Sequence, residues 1–155
     1  MTSEKERYEE LALNYLLAAQ KLWKPDPSDY GDPNHLIAPT LQCLANAFEL
    51  AFKSLLLAEG KSSEDIRKDY GHDLIKLWEC EALKGPRKEM QISAMYNEFY
   101  EQFLVLSKRH MNSNGAKYLL RHPSEDRIMV YPPDDLIVAA KTILGSIIHE
   151  PNGVS

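Results

Sequence analysis

A chain of 155 residues, 44% hydrophobic and 26% charged, is the size of one domain with a single core, and its net charge of −5 excludes nucleic-acid binding through overall charge while leaving local basic patches open. No unbroken apolar run reaches the roughly 18 residues of a bilayer span, and the first ten residues lack the apolar centre of a signal peptide. A cytoplasmic location is therefore expected, and Cys43 and Cys80, which belong to no CxxC pair, read as two small apolar thiols with no disulfide.

The periodicity is helical nearly throughout. Tyr8, Leu11, Tyr15, Ala18 and Leu22 form an apolar stripe, which Pro25 and Pro27 end. Residues 26–34, rich in Pro, Asp and Gly, read as a loop. The strongest stripe follows in Leu41, Leu44, Ala45, Phe48, Phe52 and Leu55, closed by Gly60. Its start lies before Pro39, which either occupies a first turn or kinks a longer helix. Ser62-Ser63-Glu64-Asp65 has the Ser-x-x-acid pattern of a helix cap, and Gly71 ends that helix early. From Asp73 a stripe of Leu74, Leu77, Trp78 and Ala82 is expected to run as far as Gly85-Pro86. A further long helix is expected to carry Ile92, Met95, Tyr96, Phe99, Phe103 and Leu106.

The pattern then changes. Asn112 to Gly115 is a turn cluster, and 117–120 and 127–131 read as short strands of a hairpin. Pro132-Pro133-Asp134-Asp135 suits a helix start. In the last helix Leu136, Ile137, Val138, Ile143, Leu144, Ile147 and Ile148 cover most of the circumference. A helix apolar all round needs burial on both sides, so it is expected to contribute to a homodimer interface. The fold expected is all-α, one domain over residues 1–155: a bundle of four or five antiparallel helices with an irregular or β-hairpin excursion at 113–133.

Three features stand in a suggestive order: the helix Asn46 to Leu56 with Glu49 and Lys53, a glycine turn, and then Tyr70-Gly71-His72-Asp73-Leu74. This resembles the HEPN superfamily (higher eukaryotes and prokaryotes nucleotide-binding), in particular a bacterial branch with an E-x-x-x-K helix followed by a GHDL turn. The resemblance covers roughly Leu41 to Glu81. It implies a HEPN-like antiparallel bundle that commonly dimerises. Many members are metal-independent endoribonucleases of toxin–antitoxin or phage-defence systems, with an Arg-x(4–6)-His motif, and others are inactive binding modules. Arg67 and His72, with four residues between them, meet that motif.

The residue chemistry suits the role. Metal-free RNA cleavage needs a group to take the 2′-hydroxyl proton, a group to protonate the leaving oxygen and a cation by the phosphate. Histidine titrates near neutrality and serves either proton role; arginine offers a charged planar fork to phosphate oxygens. Glu49 and Asp73 are the supporting candidates. Glu49 is read either as half of an exposed ion pair with Lys53 or as the group that orients the His72 imidazole. The architectural alternative makes His72 a cap or a partner of Glu49 or Asp73, and Asp73 an ordinary first-turn acid.

Lys108, Arg109, His110, Lys117, Arg121, His122 and Arg127 gather around the excursion against only Glu125 and Asp126. Of these, Lys108, Arg109, Lys117, Arg121 and Arg127 are candidates for holding RNA phosphates, with Tyr118 or Tyr131 to stack on a base; the alternative is a solvated loop. No His-x-x-x-His, P-loop, GxGxxG or GxSxG occurs, so no metal and no cofactor is expected. The function expected is a metal-independent endoribonuclease or RNA-binding component of a toxin–antitoxin or defence system, acting with an antitoxin partner. The alternatives are a non-catalytic dimeric module and a nucleotide-binding partner of a nucleotidyltransferase.

Overall fold

The computed structural model describes residues 2–23, 36–112 and 132–148, and every regular element among them is helical. Helix α1 (Glu4–Trp23) opens on a reciprocal cap. Ser3 Oγ accepts the Glu6 N–H at 3.1 Å and Glu6 Oε2 accepts the Ser3 N–H at 2.9 Å, which satisfies two donors that a helix start leaves free. Helix α2 (Ile37–Ala58) begins two residues before Pro39, so the proline lies in a first turn where its missing N–H is not needed.

Around α2 the other helices gather. Its longest contact is with α1, and the later helices pack on its remaining sides. Leu44, Ala47, Phe48, Ala51 and Phe52 have no exposed surface. By length and average composition, α2 is long and apolar enough to cross a membrane, although its apolar residues do not run unbroken. Enclosure accounts for that composition, since a helix covered on most sides is apolar on most sides.

The end of α2 is a Schellman turn. Gly60 takes φ +92°, its N–H reaches the Leu57 carbonyl at 3.0 Å, and the Lys61 N–H reaches that of Leu56 at 3.2 Å. Helix α3 (Ser63–Tyr70) follows at once, with Ser62 Oγ accepting the Asp65 N–H at 3.1 Å, as the Ser-x-x-acid pattern predicts.

Two sequence-based boundaries shift. Helix α4 (Leu74–Trp78) is five residues long and does not continue through Ala82. A 3₁₀ turn at Glu81–Leu83 leads into α5 (Lys84–Gln91), so Gly85-Pro86 opens a helix instead of closing one. Arg87 supplies the reason: Nη1 donates to the carbonyls of Trp78 at 2.6 Å and Cys80 at 2.9 Å, acceptors that the end of a helix leaves free. Helix α6 (Tyr96–Asn112) starts after Ile92, whose side chain is 88% exposed.

Helix α7 (Asp134–Ile147) spends most of its apolar circumference inside the chain. Leu136, Ile143, Leu144 and Ile147 are buried, and only Val138 of the seven apolar residues named above is exposed. Trp23 Nε1 donates to Asp134 Oδ1 at 3.0 Å, tying the end of α1 to the start of α7. The excursion at 113–131 lies outside the described residues. Cys43 and Cys80 are free and half-buried; burial pushes both thiols up, which suits the apolar role read from the sequence.

The core has one feature that positions the site. Phe48 and Phe52 from α2, Trp78 from α4, and Phe99 and Phe103 from α6 form one fully buried aromatic cluster. The Phe48–Phe103 rings stand edge-on at 5.2 Å and the Phe52–Trp78 rings lie 5.5 Å apart, spacings at which aromatic pairs attract beyond area burial. Pinning Phe48 and Phe52 fixes the rotation of α2. The residues one step on, Glu49 and Lys53, are thereby aimed at the gap between α1, α3 and the end of α6.

Candidate functional site

Gln42, Glu49 and Lys53 stand seven and four residues apart on α2, so they share one polar stripe. Glu49 and Lys53 are buried, at 8% and 7% exposure, and Lys53 Nζ reaches Glu49 Oε2 at 3.2 Å. The exposed-pair reading is therefore corrected: this ion pair lies inside the fold, where losing one partner costs far more than at a surface.

Gly71 delivers the histidine. Its φ of +54° and ψ of −122° are those of the first central position in a type II′ turn, which glycine alone adopts freely. The Asp73 N–H closes the turn onto the Tyr70 carbonyl at 3.0 Å. His72 thus sits at the second central position, between α3 and α4, with its side chain half exposed. Its Nδ1 bonds Glu49 Oε1 at 2.8 Å. A carboxylate only accepts, so Nδ1 carries the proton of this bond, and in the neutral imidazole the lone pair is then on Nε2. The reading of Glu49 as the group that orients His72 has its geometry here. Asp73 is engaged elsewhere: Oδ1 caps α4 through the Lys76 N–H at 3.0 Å, the first-turn role of the architectural alternative.

A third residue joins them. His110, near the end of α6 and 7% exposed, places Nε2 2.8 Å from the same Glu49 Oε1. Its Nδ1 lies 3.4 Å from the Gln42 amide nitrogen. The sequence reading grouped His110 with the basic residues of the excursion. The signal that places it correctly is the stripe Phe99, Phe103, Leu106, His110, which continues the core face of α6 by one step.

Burial raises the Glu49 pKa, but the hydrogen bond from His110, the charge of Lys53 and the hydrogen bond from His72 outweigh it and hold the group at about 2. Glu49 is accordingly ionised throughout the neutral range and accepts from three partners at once.

Beside His72 opens a cleft of about 330 Å³ lined by Tyr8, Lys53, Ser63, Glu64, Arg67 and His72. Arg67 stands on the last turn of α3 and His72 on the turn that follows, so the two motif residues share one open wall. Burial, with the charges of Glu4 and Glu49, raises the Tyr8 pKa and keeps its hydroxyl a donor. Sequence reading saw Tyr8 only as part of the α1 stripe. Lys108 is exposed and Arg109 half-buried on α6, and neither lines this cleft. Lys117, Arg121 and Arg127 lie outside the described residues.

Comparison with models of known families, with curated proteins and with solved structures returned no match.

Proposed function

We propose that the cleft binds and cleaves RNA without a metal ion, and that the chain is a HEPN-like antiparallel bundle acting as a homodimer in a toxin–antitoxin or defence setting. The observation that carries this reading is the pairing of Arg67 with a His72 oriented through Nδ1 by Glu49 on one open cleft.

In this mechanism Nε2 of His72 takes the proton from the ribose 2′-hydroxyl, which then attacks the adjacent phosphorus. Ionised Glu49 stabilises the imidazolium so formed and holds the ring in the productive tautomer. Arg67 binds the phosphate oxygens as charge accumulates, and Tyr8 and Lys53 add a donor and a positive charge. Among the described residues one copy lines the cleft with one imidazole, that of His72, because His110 Nε2 is committed to Glu49. A second copy facing the first would supply the acid for the leaving oxygen. Leu13 and Leu17, one turn apart on α1 and 44% and 50% exposed, are exposed apolar side chains that support a dimer.

A non-catalytic module is the second reading, favoured by one observation: the Glu49 network joins α2, the His72 turn and α6, as a purely architectural polar cluster would. His72→Ala separates the two. A catalytic His72 loses about 10²–10⁴-fold in cleavage rate with little change in melting temperature, since half its side chain is solvated. An architectural one lowers stability by roughly 1–3 kcal/mol. Arg67→Ala should reduce cleavage and RNA affinity together. The assay is a labelled RNA in the presence of EDTA; wild type without EDTA-resistant cleavage would sink the ribonuclease reading.

A further inference from the structure

Glu49 Oε1, His72 Nδ1 and His110 Nε2 lie within 4.8 Å of one another, each brought by a different part of the fold: α2, the turn after α3, and α6. We propose that these three atoms form a binding site for a zinc-class transition-metal ion, open to the cleft on the His72 side.

The donor set decides the class. Two imidazole nitrogens and one carboxylate oxygen suit Zn²⁺ and its neighbours, whereas Mg²⁺ and Ca²⁺ demand mostly oxygen. The three ligands leave one position of a tetrahedron free, and the half-exposed His72 gives that position access to solvent.

Two of the three donor separations are near what binding needs, and the third lies within 4.8 Å. Metal–ligand bonds of about 2.0–2.1 Å set tetrahedral donors about 3.3 Å apart. The two hydrogen-bonded distances, both 2.8 Å, would each open by about half an ångström. His72, on a glycine turn and half solvated, is the ligand that can move.

The surroundings accommodate the change of tautomer. A metal on His72 Nδ1 sends that proton to Nε2, which faces solvent in the cleft. A metal on His110 Nε2 puts the proton on Nδ1, and Gln42, half a turn of its amide away, offers its oxygen in place of its nitrogen. An imidazole whose second nitrogen is hydrogen-bonded is the usual condition of a metal-bound histidine. Lys53 holds Glu49 Oε2, which keeps the carboxylate binding through one oxygen.

The consequence for cleavage rests on the ribonuclease reading above. A metal-bound His72 carries its proton on Nε2 and can no longer act as a base, so the ion is an inhibitor. The site leaves no local motif in the sequence, because its histidines are 23 and 61 residues from Glu49.

The test is calorimetric titration of the metal-free full chain with Zn²⁺, together with the visible absorption of the Co²⁺ form. We expect one ion per chain and the d–d bands of four- or five-coordinate Co²⁺. His72→Asn, a change at a half-exposed side chain, should fold and lose both. Gln42→Ala should fold and bind roughly 10-fold more weakly, the effect of removing a partner that orients a ligand. No saturable Zn²⁺ uptake by wild type, or unaltered uptake by folded His72→Asn, would overturn the site. Binding is read without RNA, so the outcomes separate. Zinc binding with no EDTA-resistant cleavage sustains the site and removes the ribonuclease. Cleavage in EDTA with no zinc uptake removes the site and sustains the ribonuclease.

Discussion

At the residue scale the molecule turns on Glu49. A lone buried carboxylate is costly to desolvate, and this one is compensated by three donors from three directions: Lys53 at 3.2 Å and two histidines at 2.8 Å. That compensation makes the site and exposes the fold to its loss. Glu49→Leu leaves the Lys53 ammonium buried beside apolar surface without its counter-charge. The expected cost is about 3–5 kcal/mol of stability, measured by urea unfolding, with no change in the denaturant slope if the folded state is otherwise kept. A variant as stable as wild type would mean that Lys53 escapes to solvent, and that the ion pair contributes nothing to folding. Glu49→Gln is the gentler counterpart. It keeps an acceptor for one histidine and, under the proposed ribonuclease function, should reduce cleavage more than stability, since a neutral amide cannot stabilise the imidazolium.

At the scale of elements, the His72 turn shows how one glycine sets the position of a site. Nothing lies within van der Waals contact of a Cβ built on Gly71 except the Arg67 carbonyl at 3.8 Å, so space does not forbid a side chain there. Conformation does, because φ +54° with ψ −122° is open to glycine and strained for other residues. Gly71→Ala should therefore destabilise by about 1–3 kcal/mol and rotate His72 away from Glu49. A drop in melting temperature, accompanied under the proposed ribonuclease function by loss of cleavage, would be the expected pair. An unchanged melting temperature would mean that the turn relaxes to another type without penalty. The neighbouring elements follow the same local logic. Ser3 and Ser62 cap their helices, the Schellman turn at Gly60 closes α2, and Arg87 ends α4 by taking the carbonyls of Trp78 and Cys80. The Ser62 cap and the Gly60 end are readable in the sequence, and the Arg87 bonds are not. A side chain bonding back over seven and nine residues leaves no periodic trace, and the stripe Leu74, Leu77, Trp78, Ala82 looked continuous without it.

At the scale of the whole molecule, the apolar residues of α7 are mostly consumed by the chain's own core, and the exposed leucines at the i, i+4 spacing belong to α1. The homodimer is therefore expected to use α1. Light scattering at tens of micromolar should give twice the mass of one 17.7 kDa chain, and Leu17→Asp should return it to the monomer with its helix content intact. A monomeric wild type would count against the dimer. The amino-acid sequence by itself determined the helical class, the glycine ends of α2 and α3, the Ser62 cap of α3, the aromatic members of the core and the pair Arg67 and His72. These follow from periodicity and from residues whose backbone preferences act within a few positions. Tertiary structure alone decided that Glu49 serves two histidines, that His110 turns inward, and that Tyr8 and Lys53 face the same cleft as the motif. Those facts depend on the rotation of α2 fixed by the packing of Phe48 and Phe52 against Trp78 and Phe103. Such packing brings together side chains as far apart in sequence as Glu49 and His110, 61 residues, a distance over which no local preference carries information.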